Sequence, residues 1–268
     1  MSDGAPWYEK LRTVTPQSGV VLAANPSPMT LEGTNTWLLH GMDEAGRSAI
    51  VVDPGPDDAA HLDAVVAAAG VVARILLTHG HPDHSDGARR LHDRTGAPVS
   101  ALDPRWQFGG EGLHEGDVVA AAGVELRVWA TPGHTADSLS FLLDSGAGPC
   151  VLTGDTVLGR GSTVIAEPDG DLSAYLTSLH RLAELDDVRV LPGHGTDLAD
   201  AGGAARAYLA HRGQRLDQVR DALLRLRLEP VPSSAAAVVA DVYAEVDAAL
   251  WPAAEQSVRA QLAFLRRF

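Results

Sequence analysis

The chain has 268 residues with 45% hydrophobic content, enough for one large α/β body with a sizeable core and a small appendage. Its 21 basic and 35 acidic residues leave a net charge of −14, which repels polyanions at long range and argues against broad nucleic-acid binding. No run of ~18 apolar residues occurs and no basic segment leads into an apolar one at the start, so neither a membrane span nor a secretory signal is expected.

Along the chain, short apolar runs separated by Gly, Asp and Pro predict strands over 20–24, 34–40, 48–53 and 74–78. A helix is expected over 58–69 and another over 86–94, with Gly70 and Gly96 standing where C-terminal caps belong. Strands over 99–102, 124–130, 139–143 and 150–153 follow, then a helix over 171–184 and a strand over 188–191. The single cysteine, Cys150, lies in an apolar Pro-Cys-Val-Leu setting and reads as a buried, inert thiol. One cysteine excludes an intramolecular disulfide framework, so a cytoplasmic location is expected. Strands interrupted by helices make an α/β body.

Beyond Gly195 the pattern changes. Residues 204–227 read as a long helix with Leu209, Leu216, Val219, Leu223 and Leu226 on one stripe. Glu-Pro-Val-Pro at 229–232 breaks it, and Ser233 or Ser234 can cap a helix over 235–244. A third helix is expected over 247–266, with Pro252 tolerated near its start. The expected division is a catalytic body over 1–202 and a small helical domain over 203–268. The tail holds nine arginines against seven acids, so the acidity belongs to the body.

The central motif is Thr78-His79-Gly80-His81-Pro82-Asp83-His84, directly after the strand expected over 74–78. Imidazole and carboxylate groups suit a divalent ion such as zinc, which needs three to four ligands. In extended backbone His79 and His81 share one face, and Asp83 and His84 lie where the chain turns toward a neighbouring point. Three further turns each follow a predicted strand and present one ligand-type residue: Pro-Gly-His134, Gly-Asp155 and Pro-Gly-His194. Glycine lets backbone pass close to an ion. Together these strand ends deliver five histidines and two aspartates, a coherent binuclear site. His40, His61, His92, His114 and His180 have no such company and are read as surface or core residues.

These motifs resemble the metallo-β-lactamase superfamily over roughly residues 18–200. The likeness is closer to its glyoxalase II-like and lactamase-like-2 branch, on Leu31-Glu32-Gly33-Thr34-Asn35-Thr36-Trp37, Val52-Asp53-Pro54-Gly55 and Gly154-Asp155-Thr156-Val157-Leu158-Gly159. The tail, around Ala210-His211-Arg212 and Leu250-Trp251-Pro252-Ala253-Ala254-Glu255, is similar to the winged-helix-like appendage of that branch. The resemblance implies an αββα four-layer sandwich with a small C-terminal helical, winged-helix-like domain. It implies that His79, His81 and His134 bind one metal, that Asp83, His84 and His194 bind a second, and that Asp155 bridges them. Zinc β-lactamases place a cysteine where Asp155 stands, and Cys150 is too early to substitute, so β-lactam hydrolysis is not the expected activity.

The mechanism this implies uses two Zn²⁺ ions, with Mn²⁺ or Fe²⁺ as alternatives, and a bridging hydroxide that attacks an electrophilic carbonyl or phosphorus. Asp83 is the expected catalytic residue, orienting the water or moving its proton. Asp53 ends a strand near the expected site and is read either as an acceptor for one ligand imidazole or as a turn residue before Pro54. Arg212 falls within the apolar stripe of its helix, and is read either as an interdomain contact or as a group facing the cleft. Arg105, Trp106, Phe108, Arg160 and Thr163 are candidate contacts for the substrate, expected to be a small, anionic molecule. The leading expectation is hydrolysis of a small thioester or ester. Alternatives are a phosphodiesterase or single-strand endoribonuclease, with RNA as a less favoured partner, an iron-dependent oxygenase, and a winged-helix nucleic-acid-binding protein with a vestigial metal site.

Overall fold

The structure, a computed structural model, describes residues 7–43, 46–145, 148–245, 247 and 250–267. Two sheets lie at its centre. The first runs in sequence order through β1 (Leu11–Thr13), β2 (Ser18–Leu22), β3 (Asn35–Asp43), β4 (Gly46–Val52), β5 (Val71–Leu76) and β6 (Val99–Ser100). The second has the order β11-β10-β9-β8-β7, built from β7 (Val118–Ala121), β8 (Val124–Ala130), β9 (Leu139–Ser145), β10 (Gly148–Gly154) and β11 (Arg189–Pro192).

Side chains of successive strand residues point to opposite faces, and that alternation sorts the core into layers. Trp37 and Leu39 of β3, with Ile50 and Val52 of β4, face Leu126, Val128, Phe141 and Leu152 of the other sheet. Their neighbours Leu38, Ala49 and Val51 face outward, beneath Leu62 and Val65 of helix α1 (Ala59–Ala69) and Leu91 of α3 (Gly87–Thr95). On the far side, Val151 and Val190 lie beneath Tyr175, Leu179 and Leu182 of α4 (Leu172–Leu182). Each fully buried large side chain contributes roughly 1.5–3 kcal/mol of transfer free energy. The result is the four-layer sandwich the sequence motifs imply.

β4, β5 and β6 are mutually parallel, and so are β10 and β11, because helices carry the chain back between them. β8 and β10 are each antiparallel to β9, so they too run the same way. The carboxyl ends of β8, β10 and β11 therefore lie on one side of their sheet, and those of β4 and β5 share an edge of theirs. In α/β sheets that is where ligands bind.

Two short strands escape the hydrophobic pattern. β1 has three residues, and β7 pairs Val-Val with Ala-Ala, which has little β propensity. Ala122 and Gly123, both with positive φ (54° and 68°), close the β7–β8 turn, the geometry tight hairpins favour.

The tail begins with α5 (Ala201–Leu226), capped by the Asp200 carboxylate on the Gly202 and Gly203 amides. Ala205, Tyr208 and Leu216 join the cluster around α4, whereas Val219, Ala222 and Leu223 pack with α6 (Ala235–Val242) and α7 (Trp251–Arg267). Gly213 does not interrupt the helix. Ser234 occupies the N-cap position of α6, but its hydroxyl donates to the Glu229 carbonyl at 2.8 Å and makes no capping bond to the helix. Among the described residues the tail holds helices and no strand.

Candidate metal centre

The residues of the central motif leave β5 and enter α2 (Pro82–Ser85), a single turn that starts on Pro82. His79 and His81 precede that turn, and Asp83 and His84 lie in it. His134 comes from the turn between β8 and β9, Asp155 follows β10 and His194 follows β11. The seven side chains converge in three overlapping groups: His79, His81 and His134; His79, His84 and Asp155; Asp83, His84 and His194. In each group the potential ligand atoms lie within 4.8 Å of one another.

Hydrogen bonds behind the site decide which nitrogen of each ring faces inward. Asp53 leaves β4 with a positive φ of 53° and turns its carboxylate toward the neighbouring strand end. Its Oδ1 accepts from the Thr78 amide at 2.8 Å, and its Oδ2 from the Thr78 hydroxyl at 2.7 Å and from His84 Nδ1 at 2.9 Å. Since the Thr78 hydroxyl donates to Asp53, its oxygen accepts from His79 Nδ1, 3.0 Å away. His134 Nδ1 donates to the Val164 carbonyl at 2.7 Å, and His194 Nδ1 to the Gly33 carbonyl at 3.1 Å. Each of these four rings therefore turns its Nε2 toward the centre.

These nitrogens meet at short range. His84 Nε2 is 3.2 Å from His194 Nε2, and His81 Nδ1 is 3.1 Å from His79 Nε2 and 3.0 Å from His134 Nε2. Facing ring nitrogens at such distances need a proton or a metal ion between them. Ligand nitrogens on a tetrahedral zinc, at about 2.0–2.1 Å from the ion, are roughly 3.3 Å apart. Asp155 adds a second sign of the same need. Its Oδ1 is buried without a hydrogen-bond partner among the described residues. That oxygen lies 3.5 Å from His84 Nε2, while Oδ2 lies 3.3 Å from His194 Nε2 and 3.6 Å from His134 Nε2. The donor set fits divalent metal.

The charges agree. Burial opposes ionisation of Asp83 and Asp155, but the surrounding histidines outweigh it and hold both carboxyls far below their ordinary range. Burial, reinforced by neighbouring imidazoles, keeps His79 and His134 below their usual values, hence neutral. At His84 and His194 the carboxylates overcome burial, and His194 is pushed up to about 9. The site attracts positive charge strongly enough to take up protons when nothing else supplies it.

Several contributors had no role assigned from the sequence, although Thr34, Asn35 and Thr36 stand in one of its motifs. The Thr34 hydroxyl donates to Asp83 Oδ2 at 3.0 Å. Asn35 Nδ2 donates to the Pro192 carbonyl at 2.9 Å and the Gly195 carbonyl at 2.8 Å, tying the first sheet to the turn that carries His194. His61, expected to be a structural histidine, is buried, with Nε2 2.8 Å from the Thr36 hydroxyl and Nδ1 2.7 Å from Glu9 Oε2. Thr36 in turn donates to the Asp53 carbonyl at 2.7 Å. A small or hydroxyl side chain has no spacing rule that announces a partner so far along the chain.

A cleft of about 180 Å³ opens beside His134 and Asp155, with Met29, Leu31, Leu158, Arg160 and Thr163 in its walls. Of the five candidate contacts, Arg160 and Thr163 therefore reach the cleft, Arg160 being paired with Glu32 at the rim. Trp106 stands against the central motif, where a Cβ on Gly80 would meet its Nε1 at 2.7 Å. Arg105 is exposed and paired with Asp103, and Phe108 packs below Arg89, so neither lines the cleft. Arg212 is buried with its guanidinium 5.2 Å from the centre of the Tyr175 ring and donates to the Thr163 carbonyl. It stands behind the cleft wall and does not line the cleft.

Residues 29–194 match the metallo-β-lactamase superfamily, and residues 234–267 match the β-lactamase-associated winged helix domain. A β-lactamase-like protein 2 homolog of Drosophila melanogaster is 32% identical over 266 residues, covering 92% of this chain and 87% of its own. An atrochrysone carboxyl ACP thioesterase of Claviceps purpurea is 27% identical, covering 84% of this chain and 71% of its own. The crystal structure of a β-lactamase domain protein from Burkholderia ambifaria superposes with a TM-score of 0.79 at 25% identity, over 99% of this chain and 90% of that one. The chain thus belongs to the metallo-β-lactamase superfamily, a family of hydrolases, and carries the β-lactamase-associated winged helix domain at its C-terminal end.

Proposed function

We propose that the protein is a binuclear zinc hydrolase of small thioesters or esters. One ion would be held by His79, His81 and His134 and the other by Asp83, His84 and His194, with Asp155 between them. The observation that carries this reading is Asp155: its two carboxylate oxygens face histidines of both groups, and one of them is buried without a partner. When bound, such ions lower the pKa of water to about 7 and polarise a scissile carbonyl.

The chain's own groups do the rest. Asp83 has 27% of its side chain exposed, more than the other aspartate at the centre. With Thr34 steadying Oδ2, it is the group placed to orient the attacking water and accept its proton. Met29, Leu31 and Leu158 give the cleft an apolar wall suited to an acyl chain. The thioesterase among the relatives supports an activated acyl substrate.

The test joins metal analysis to a substrate panel of a glutathione thioester, a phosphodiester, a lactone, a β-lactam and single-stranded RNA. Two equivalents of zinc and hydrolysis of the thioester, reduced about 10²–10⁴-fold by Asp83→Asn, are expected. Folded protein that neither carries nor takes up stoichiometric divalent metal overturns the reading.

A further inference from the structure

Behind the cleft wall lies a second cavity of about 230 Å³, bounded by residues 162–164, α5 and α7. One water needs about 10–15 Å³ of such space, so the cavity has room for a small molecule. Its polar lining is lopsided. His211, Arg212 and Arg215 contribute basic groups from α5, Ser257 and Gln261 contribute neutral ones from α7, and no aspartate or glutamate lines it among the described residues.

Three of these side chains have unmet hydrogen-bonding capacity. Arg212 Nε, His211 Nδ1 and Gln261 Oε1 are buried atoms without partners among the described residues. Native proteins leave few such atoms, because each forgoes the hydrogen bond it had with water. Three in the wall of one cavity are not accounted for by packing alone.

The charge is equally unmet. Arg212 is only 4% exposed, and no carboxylate among the described residues forms an ion pair with it. Its compensation is one backbone carbonyl, at Thr163, and the Tyr175 ring. Arg215 approaches the same space, its guanidinium 4.9 Å from the centre of the Tyr243 ring. A buried cation needs a counter-charge or a dense set of acceptors. Burial, and then these two arginines, hold His211 below its ordinary value.

We propose that this cavity is a binding site for a small organic oxyanion, a phosphate or carboxylate group, received by Arg212, Arg215 and His211. An oxyanion supplies the negative charge that the arginines lack, and it supplies acceptors to Arg212 Nε and His211 Nδ1–H once those buried side chains turn toward it. A hydroxyl on the same molecule would donate to Gln261 Oε1. Residues 162–164 line both this cavity and the metal cleft, so the anion is either the far end of a substrate reaching across that wall or a separate molecule.

Inorganic phosphate is the probe, with the imidazole resonances of His211 as the local readout, identified by their loss in His211→Gln. Phosphate bound at the metal centre does not register there. A saturable shift with phosphate is expected, absent with chloride at equal ionic strength. Ala254→Glu, which puts a carboxylate in the wall, should weaken it at least tenfold. Arg215→Gln at the rim should weaken it about tenfold and serves if the first variant does not fold. No shift, an equal shift with chloride, or unchanged affinity in the folded variants overturns the site. Two thioesters, one with a phosphate on its leaving group and one without, separate the sources. If the anion belongs to the substrate, the variants raise KM for the phosphorylated ester alone. If KM stays fixed while phosphate binding is lost, the occupant is a separate molecule.

Discussion

Asp53 and His84 meet through a 2.9 Å hydrogen bond in which the carboxylate takes the imidazole Nδ1–H while also holding Thr78 by its amide and hydroxyl. One side chain therefore orients His84 directly and His79 through the Thr78 hydroxyl, so it sets a ring in each proposed metal pocket. Asn at this position keeps the shape but replaces one acceptor oxygen by a donor. Asp53→Asn should reduce metal affinity about 10–100-fold, measured by competition with a chromogenic chelator. Unchanged affinity would remove Asp53 from the scheme.

Removing the metal should loosen the whole sandwich, because the seven residues come from turns belonging to both sheets. Ligand that binds only the folded state adds about 4 kcal/mol at a thousandfold excess over Kd. For a chain of this size that corresponds to a Tm about 10 °C lower after chelation, recovered on adding zinc. Differential scanning calorimetry with and without chelator reads it. Coincident transitions would show that nothing at the centre is linked to folding.

Gly193 lies where no side chain fits. A Cβ there would stand 2.5 Å from Asp155 Oδ1 and 2.7 Å from His84 Cε1. Gly193→Ala should therefore push apart the aspartate and histidine around which the two groups join, without disturbing the cores. We expect near-native circular dichroism with metal content below that of the unaltered protein, by elemental analysis. Full occupancy would mean the turn yields more than its packing suggests.

Glu9, His61 and Thr36 form a chain, half-buried at Glu9 and buried beyond it, that ends on the Asp53 carbonyl. His61→Ala leaves Glu9 and Thr36 without their shared partner and opens a hole beside α1. A loss of about 2–4 kcal/mol is expected in urea unfolding, together with weaker metal binding as Asp53 is freed. If stability falls while metal affinity holds, the chain supports the fold and not the centre.

The core offers a control far from this chemistry. Phe141 on β9 is fully buried between the sheets. Phe141→Leu should cost about 1–3 kcal/mol in the same unfolding experiment and leave metal content intact. Loss of metal in this variant would show that the centre answers to general loosening of the sandwich.

What the sequence determined by itself is the fold family and the set of side chains that converge. The seven histidines and aspartates were legible as a group because they follow strand ends, and because imidazole and carboxylate at short spacing suit a metal. The layers were legible for a related reason: alternation along β3, β4 and β10 encodes two faces, whatever the partner. Tertiary structure alone decided which groups meet. Thr34, Asn35 and Thr36 stand in a motif of the family, but their hydrogen-bond partners lie far along the chain, so no local pattern assigns their roles. His61 looked like a lone core histidine, and only the fold joins it to Glu9 and Asp53. Arg212 lay on an apolar stripe that suited either an interface or the cleft. The packing of α5 on Tyr175 and Thr163 put it behind the wall, where its charge, unpaired among the described residues, borders a cavity the sequence did not foreshadow. Ligand identity is a property of residue type and spacing, but the balance of buried charge depends on everything that surrounds it in three dimensions.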